Sequence, residues 1–256
     1  MKRRLLPILM TLVLVCALPI WAAFVTSGDV TNPLVCTAGA AEPTLQGMID
    51  QANAGDTIKL RSNTEVHATL QITKNLTLDL NGHVLKMTGS GSVLYVKKDG
   101  PNTVTLTITD SRPQNPHTGS YENLPAGGVI TGGEGTDLTG IYNVGGAVFL
   151  ENDTTLKLEG GTITGNSSRG SVFIDGAIFE MSGGTITGET VGVRNNVGTF
   201  KMTGGRITGC YEQGVYMSTG WMEMSEAAYI GGNNTRNNKE EIFIEETLQT
   251  SARLSV

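Results

Sequence analysis

The sequence predicts an all-β solenoid, a parallel β-helix of about seven coils with a short capping helix at its start. The motif Gly-Gly-x-Ile-Thr-Gly occurs at Gly127–Gly132, Gly160–Gly165, Gly183–Gly188 and Gly204–Gly209. The last three copies begin 23 and 21 residues apart, and a period of that size marks a stacked array. From Thr57 onward apolar and polar residues alternate, the period of strands. Glycines bracket each short apolar run, so the strands are joined by tight turns.

The array is preceded by a segment of helical period. Leu45, Met48, Ile49 and Ala52 fall on one face, Thr44 can cap the start and Gly55 can end the helix. An open solenoid end exposes apolar side chains and unpaired backbone, so this helix is expected to cover the first coil.

Three strand columns follow. The first is read as Ile58, Leu85, Ile130, Ile163, Ile186, Ile207 and Ile230, all inward. The second holds Leu70/Ile72, Leu94/Val96, Val148/Leu150, Val172/Ile174, Val193, Val215/Met217 and Ile242/Ile244. The third holds Leu78/Leu80, Leu106/Ile108, Leu156/Leu158, Phe179/Met181, Phe200/Met202, Met222/Met224 and Leu254/Val256. Stacking puts like residues above like at about 4.8 Å, which makes the core a continuous apolar rod.

The outward positions differ by column. The third reads Lys157, Glu180, Lys201, Glu223, an alternating charge ladder that disfavours a one-coil slip. The first is mostly threonine: Thr162/Thr164, Thr185/Thr187 and Arg206/Thr208. The second reads Gln71, Tyr95, Phe149, Phe173, Arg194, Tyr216, Phe243. An exposed aromatic stripe with an Arg set into it suits stacking on sugar rings, and it equally suits aromatic self-packing or cover by a neighbour. Tyr95, Phe149, Phe173, Arg194, Tyr216 and Phe243 are therefore the candidate ligand-binding residues.

Residues 1–40 read as a signal peptide and short leader, and 41–256 as the solenoid domain. Lys2, Arg3 and Arg4 form a basic start, an apolar stretch runs from Leu5 to about Val25, and Ala22-Ala23 and Ala38-Gly39-Ala40 offer cleavage sites. An uncleaved anchor is the alternative. The formal charge is −6, and loss of the three basic residues makes it −9. An exported acidic chain without clustered Lys and Arg is not expected to bind nucleic acid. Cys36 and Cys210 lie about five coils apart, roughly 24 Å, too far for a disulfide. Cys210 is expected as a free thiol at a turn. His67, His83 and His117 lack metal-ligand spacing, and no metal or cofactor is expected.

The coil Gly160–Asn166, the opening Leu45…Gly55-Asp56-Thr57-Ile58 and the segment Leu76–Gly82 resemble the right-handed parallel β-helix (pectate-lyase-like) superfamily. The likeness is to exported bacterial surface proteins with Gly-Gly-x-Ile-x-Gly-Asn coils. It covers roughly residues 44–256 and implies a fold more than an activity. The Asn-x-Asp, Asp-Asp, Gly-His-Gly and Arg-x-Lys motifs of the superfamily's hydrolases do not occur, nor does a lyase-type calcium cluster. Asp99, Asp110, Glu134, Asp137, Asp153 and Asp175 are scattered over turns. Asp153 and Asp175 are the pair whose stacking would approach the ~5–9.5 Å of a glycosidase dyad.

Three functions are open at this level. The first is a non-enzymatic exported surface protein, used for display, adhesion or carbohydrate contact. The second is a carbohydrate-active enzyme, lyase-like or glycoside-hydrolase-like, with Arg194 as its best residue. The third is an end-to-end assembly module. The expected partners are a glycan or cell-surface component, a downstream domain, or a second copy docked on the last coil. The strand Ser251–Val256 carries no following cap, so the domain is expected to be incomplete at its C-terminus.

Overall fold

The structure, a computed structural model, describes residues 43–137, 143–233, 241–244 and 252–255, the last four by their backbone. The expected leader, Cys36 and Val256 lie outside the described residues.

The chain winds into a parallel β-solenoid of about eight turns. One column is a seven-stranded parallel sheet: Thr64–Val66, Val84–Met87, Val129–Thr131, Thr162–Thr164, Thr185–Thr187, Arg206–Thr208 and Tyr229–Ile230. The other two columns join into one sheet because Arg169–Met181 and Val191–Met202 run unbroken through the corner between them. Every inter-coil pairing among these strands is parallel and links successive coils.

The expected inward residues form one core. Leu85, Ile130, Ile163, Ile186 and Ile207 stack in register and are buried. Phe179 and Phe200 lie in the same core with rings nearly parallel, 4.9 Å apart. Burial of such side chains stabilises by roughly 1.5–3 kcal/mol each, against the ordering entropy of the chain.

Two expected assignments are corrected. Ile58 does not open the first column, because Thr57–Lys59 pairs with Leu76–Asp79 and so opens the third. The first column opens instead with Thr64–Val66, where Thr64 takes the register of Leu85 and the buried apolar residue is Val66, opposite Met87. In the third column Leu76 and Leu78, rather than Leu78 and Leu80, oppose Leu106 and Ile108. The shift is two residues, so facing is preserved, and Leu80 is buried as well. Periodicity fixes parity; it does not fix which of two equivalent apolar pairs meets the next coil.

The helix Leu45–Gln51 caps the array as expected. Thr44 accepts from the Gly47 N–H at 3.1 Å, and Leu45 and Ile49 are buried. The helix stops at Gln51 with Ala52 as C-cap, and Gly55 instead takes a left-handed turn three residues later. Gln46 completes the cap. Its Oε1 accepts from the Gln71 N–H at 2.8 Å and its Nε2 donates to the Gln71 carbonyl at 3.2 Å, so one amide side chain stands in for a missing strand at the edge.

The charge ladder also forms. Lys157 lies 3.4 Å from Glu180 and Lys201 3.9 Å from Glu223, with Glu180 and Lys201 in register between them.

Candidate functional site

The outward aromatic column splits into two parts. Tyr95, Phe149 and Phe173 are in register and touch, with ring centroids 5.1 and 5.2 Å apart. They do not form an exposed platform, since Phe149 is 4% and Phe173 5% exposed. Val144 packs on them and makes a second small apolar cluster. Val144 belongs to an antiparallel ribbon, Thr136–Asp137 with Asn143–Val144, inserted in the corner between Val129–Thr131 and Val148–Leu150 of one coil and laid on the outer face. The reading of these rings as free sugar platforms is therefore corrected: the insertion covers them. The tight base of the ribbon requires glycine, since a Cβ at Gly133 would sit 1.9 Å from the Gly146 carbonyl oxygen.

The second part remains half-exposed. Arg194 lies over the Tyr216 ring at 4.2 Å, and Tyr216 stacks on Phe243 at 4.9 Å. Arg194 follows Phe173 in the column, so the cation joins the covered rings to the uncovered ones.

Beside this column, where the chain turns out of the first sheet, lies an open groove of about 740 Å³. Its walls are Asn166–Arg169 from one coil, Thr190 from the next and Tyr211 and Glu212 from the third, with Asn143 of the ribbon at one end. Tyr211 is 49% exposed. The lining thus offers an aromatic face, hydroxyls, amides, one guanidinium and one carboxylate.

The groove rests on a buried polar ladder. The Gly133 N–H donates to Asn166 Oδ1 at 3.0 Å, and the Asn166 N–H donates to Glu189 Oε2 at 3.0 Å. The Glu189 N–H donates to Cys210 Sγ, the Cys210 N–H to Asn233 Oδ1 at 3.0 Å, and the Asn233 N–H to Glu241 Oε2 at 3.2 Å. From Asn166 to Asn233 a turn side chain satisfies a backbone N–H of the coil before it, and Glu241 serves Asn233 from within the same turn, as buried turns require. Asn166 also donates from Nδ2 to Glu189 Oε1 at 3.0 Å. Ser168 Oγ accepts from the Gly146 N–H at 2.9 Å and donates to the Gly170 carbonyl at 3.1 Å, tying the groove wall to the ribbon.

Two rungs are ionisable and buried. Glu189 is 0% exposed, and burial pushes its carboxyl up to about 7, against the pull of Asn166 and Ser171. Cys210 is a free thiol at a turn, as expected, but it points into the core, and burial pushes it up to about 12. A thiol held protonated is a weak nucleophile.

Strand periodicity did not point to this ladder, because the ladder is a property of turns. Its signal is the residue after the coil glycine: Gly165-Asn166, Gly188-Glu189, Gly209-Cys210, Gly232-Asn233.

Three of the scattered acids are held in contacts between coils or turns. Asp110 accepts from the Gly82 and Gly128 N–H groups and holds down the long 110–128 connection. Asp153 pairs with Lys98 at 2.6 Å and Asp175 accepts from Asn196 at 3.0 Å, so each is engaged with a neighbouring coil rather than with the other. Among the described residues no group of three His, Cys, Asp or Glu is placed to hold a metal ion, and no helix is long and apolar enough to cross a membrane. Comparison with protein-family models, curated proteins and solved structures finds no match for the chain.

Proposed function

We propose that this chain is a non-enzymatic, exported surface solenoid of the pectate-lyase-like type, and that it contacts carbohydrate through the groove and the adjoining Arg194–Tyr216–Phe243 column. The groove carries the reading. Tyr211 supplies a ring face for a sugar, and Asn166, Ser167, Ser168 and Thr190 supply hydroxyls and amides around it. Arg169 and Glu212 supply charge-assisted partners for hydroxyls. An open, polar groove with one aromatic face suits a hydrated ligand held by many modest contacts, rather than an enclosed apolar one. The rigid coils hold three successive segments of the wall at fixed spacing, which suits an extended chain of repeating units.

A glycan array probed with the folded parent tests this. Binding that Tyr211→Ala and Tyr216→Ala each weaken, with unchanged circular dichroism, supports the proposal. An array with no hit removes it. Turnover of any polysaccharide in a panel of acidic and neutral polymers would replace it with the enzymatic reading.

A further inference from the structure

The geometry points to Glu189 as a positioning residue beneath the groove: gain or loss of its proton changes how firmly Asn166, and with it the Asn166–Arg169 wall, is held. The fold does not demand a carboxyl at this rung. Asn166 and Asn233 fill equivalent rungs with amides and Cys210 fills one with a thiol, and each accepts the N–H of the preceding coil. An isolated acid sealed in the protein is costly where a neutral acceptor meets the same need. This rung is also the one that holds the groove wall.

The two protonation states hold Asn166 differently. Ionised, the carboxylate uses both oxygens, one for the Asn166 N–H and one for its Nδ2, at 3.0 Å each. Protonated, one oxygen becomes a donor and needs an acceptor. Ser171 Oγ is fully buried and lies within reach of the carboxyl. Turning the new O–H toward Ser171 withdraws one acceptor from Asn166. Asn166 in turn anchors the Gly133 N–H at the ribbon base, so the loosening reaches the end of the groove.

The groups around Glu189 are few. Asn166 and Ser171 face it from the preceding coil and are neutral, and the Cys210 thiol faces it from the following coil. Glu241 lies beyond Cys210, and Arg169, Tyr211 and Glu212 stand on the groove side. Burial, rather than a neighbouring charge, is the largest influence on the carboxyl and sets its midpoint near neutrality.

Any effect on sugar binding rests on the groove reading above, but the test needs no sugar, so the two fail separately. Amide NMR spectra of the full chain are recorded from pH 5.5 to 8.5 for the parent and for Glu189→Gln. In the parent, the Asn166 side-chain and Gly133 backbone signals should titrate together with a midpoint about 7. In Glu189→Gln they should be flat. Glu189→Asn, which copies the neighbouring rungs, should be flat as well and provides the comparison if Gln disturbs packing. Flat signals in the parent, or the same titration in the variants, would overturn the proposal. The second outcome would assign the titration to another group, such as a histidine.

Discussion

A buried acid at position 189 makes global stability fall as pH rises through neutrality. The carboxyl titrates near 4.5 in the unfolded chain and is pushed up to about 7 in the fold. The folded state therefore binds the proton more tightly. The contribution is fully present below the unfolded value, declines as pH rises from about 4.5 to about 7, and is gone above it. The difference of 7 − 4.5 = 2.5 units, at about 1.4 kcal/mol per unit, is on the order of 3 kcal/mol. That is a large share of the ~5–15 kcal/mol that holds a typical domain. One other carboxyl acts in the opposite direction. Asp79, although burial works to raise it, is held below its usual range by Ser111, Asn81 and Lys59, and it stabilises the fold as pH rises above its acid range. The comparison between parent and Glu189→Gln removes that background. Denaturant unfolding at pH 4.5, 6 and 8 should show the variant gaining about 3 kcal/mol on the parent between the ends. A fixed offset from the donor that Gln turns toward Asn166 does not alter the slope. Parallel curves would refute the reasoning, and would mean that the Glu189 carboxyl titrates in the fold near its unfolded value. The wall itself should tighten over the same range in which the whole fold weakens, because ionisation adds an acceptor for Asn166 while charging the interior.

Other perturbations address other parts of the structure. Ile186→Asp places a charge between Ile163 and Ile207, all fully buried or nearly so. It should abolish cooperative unfolding, and a melting temperature within a few degrees of the parent would contradict the inward column. Lys201→Glu sets like charges between Glu180 and Glu223 on an exposed face. It should cost about 1 kcal/mol or less, with the loss shrinking in salt; a salt-independent loss would have another cause. Gln46→Ala leaves the Gln71 N–H and carbonyl without their cap. It should cost about 1–3 kcal/mol and speed hydrogen exchange at Gln71 while leaving the Thr199 amide unchanged. Phe149→Ala empties the space beneath Val144 and should cost about 3–5 kcal/mol. A surface-sized loss in thermal unfolding would mean that the ribbon does not cover it.

The solenoid was legible in the repeat. Glycine-bracketed isoleucines at a near-constant period leave stacked coils as the arrangement that buries them all, and alternation assigns each side chain to the core or the outside. The capping helix was legible for the same reason, from Thr44 and the Leu45–Ala52 face. The order in which strands join was less so: Ile58 sits in the third column because one inward isoleucine fits either column, and only pairing with Leu78 decides. Exposure of the aromatic column was not legible at all. Outward parity is local, whereas burial of Phe149 and Phe173 depends on a ribbon that folds back from a different part of the coil. The groove and the ladder beneath it also belong to the tertiary structure. Asn166, Glu189, Cys210 and Asn233 are separate residues along the chain, and stacking alone makes each the partner of the one before it. Whether an acid at such a rung is solvated or sealed is set by the coils above and below it, which is why the titration of Glu189 near neutrality follows from its environment and not from its identity.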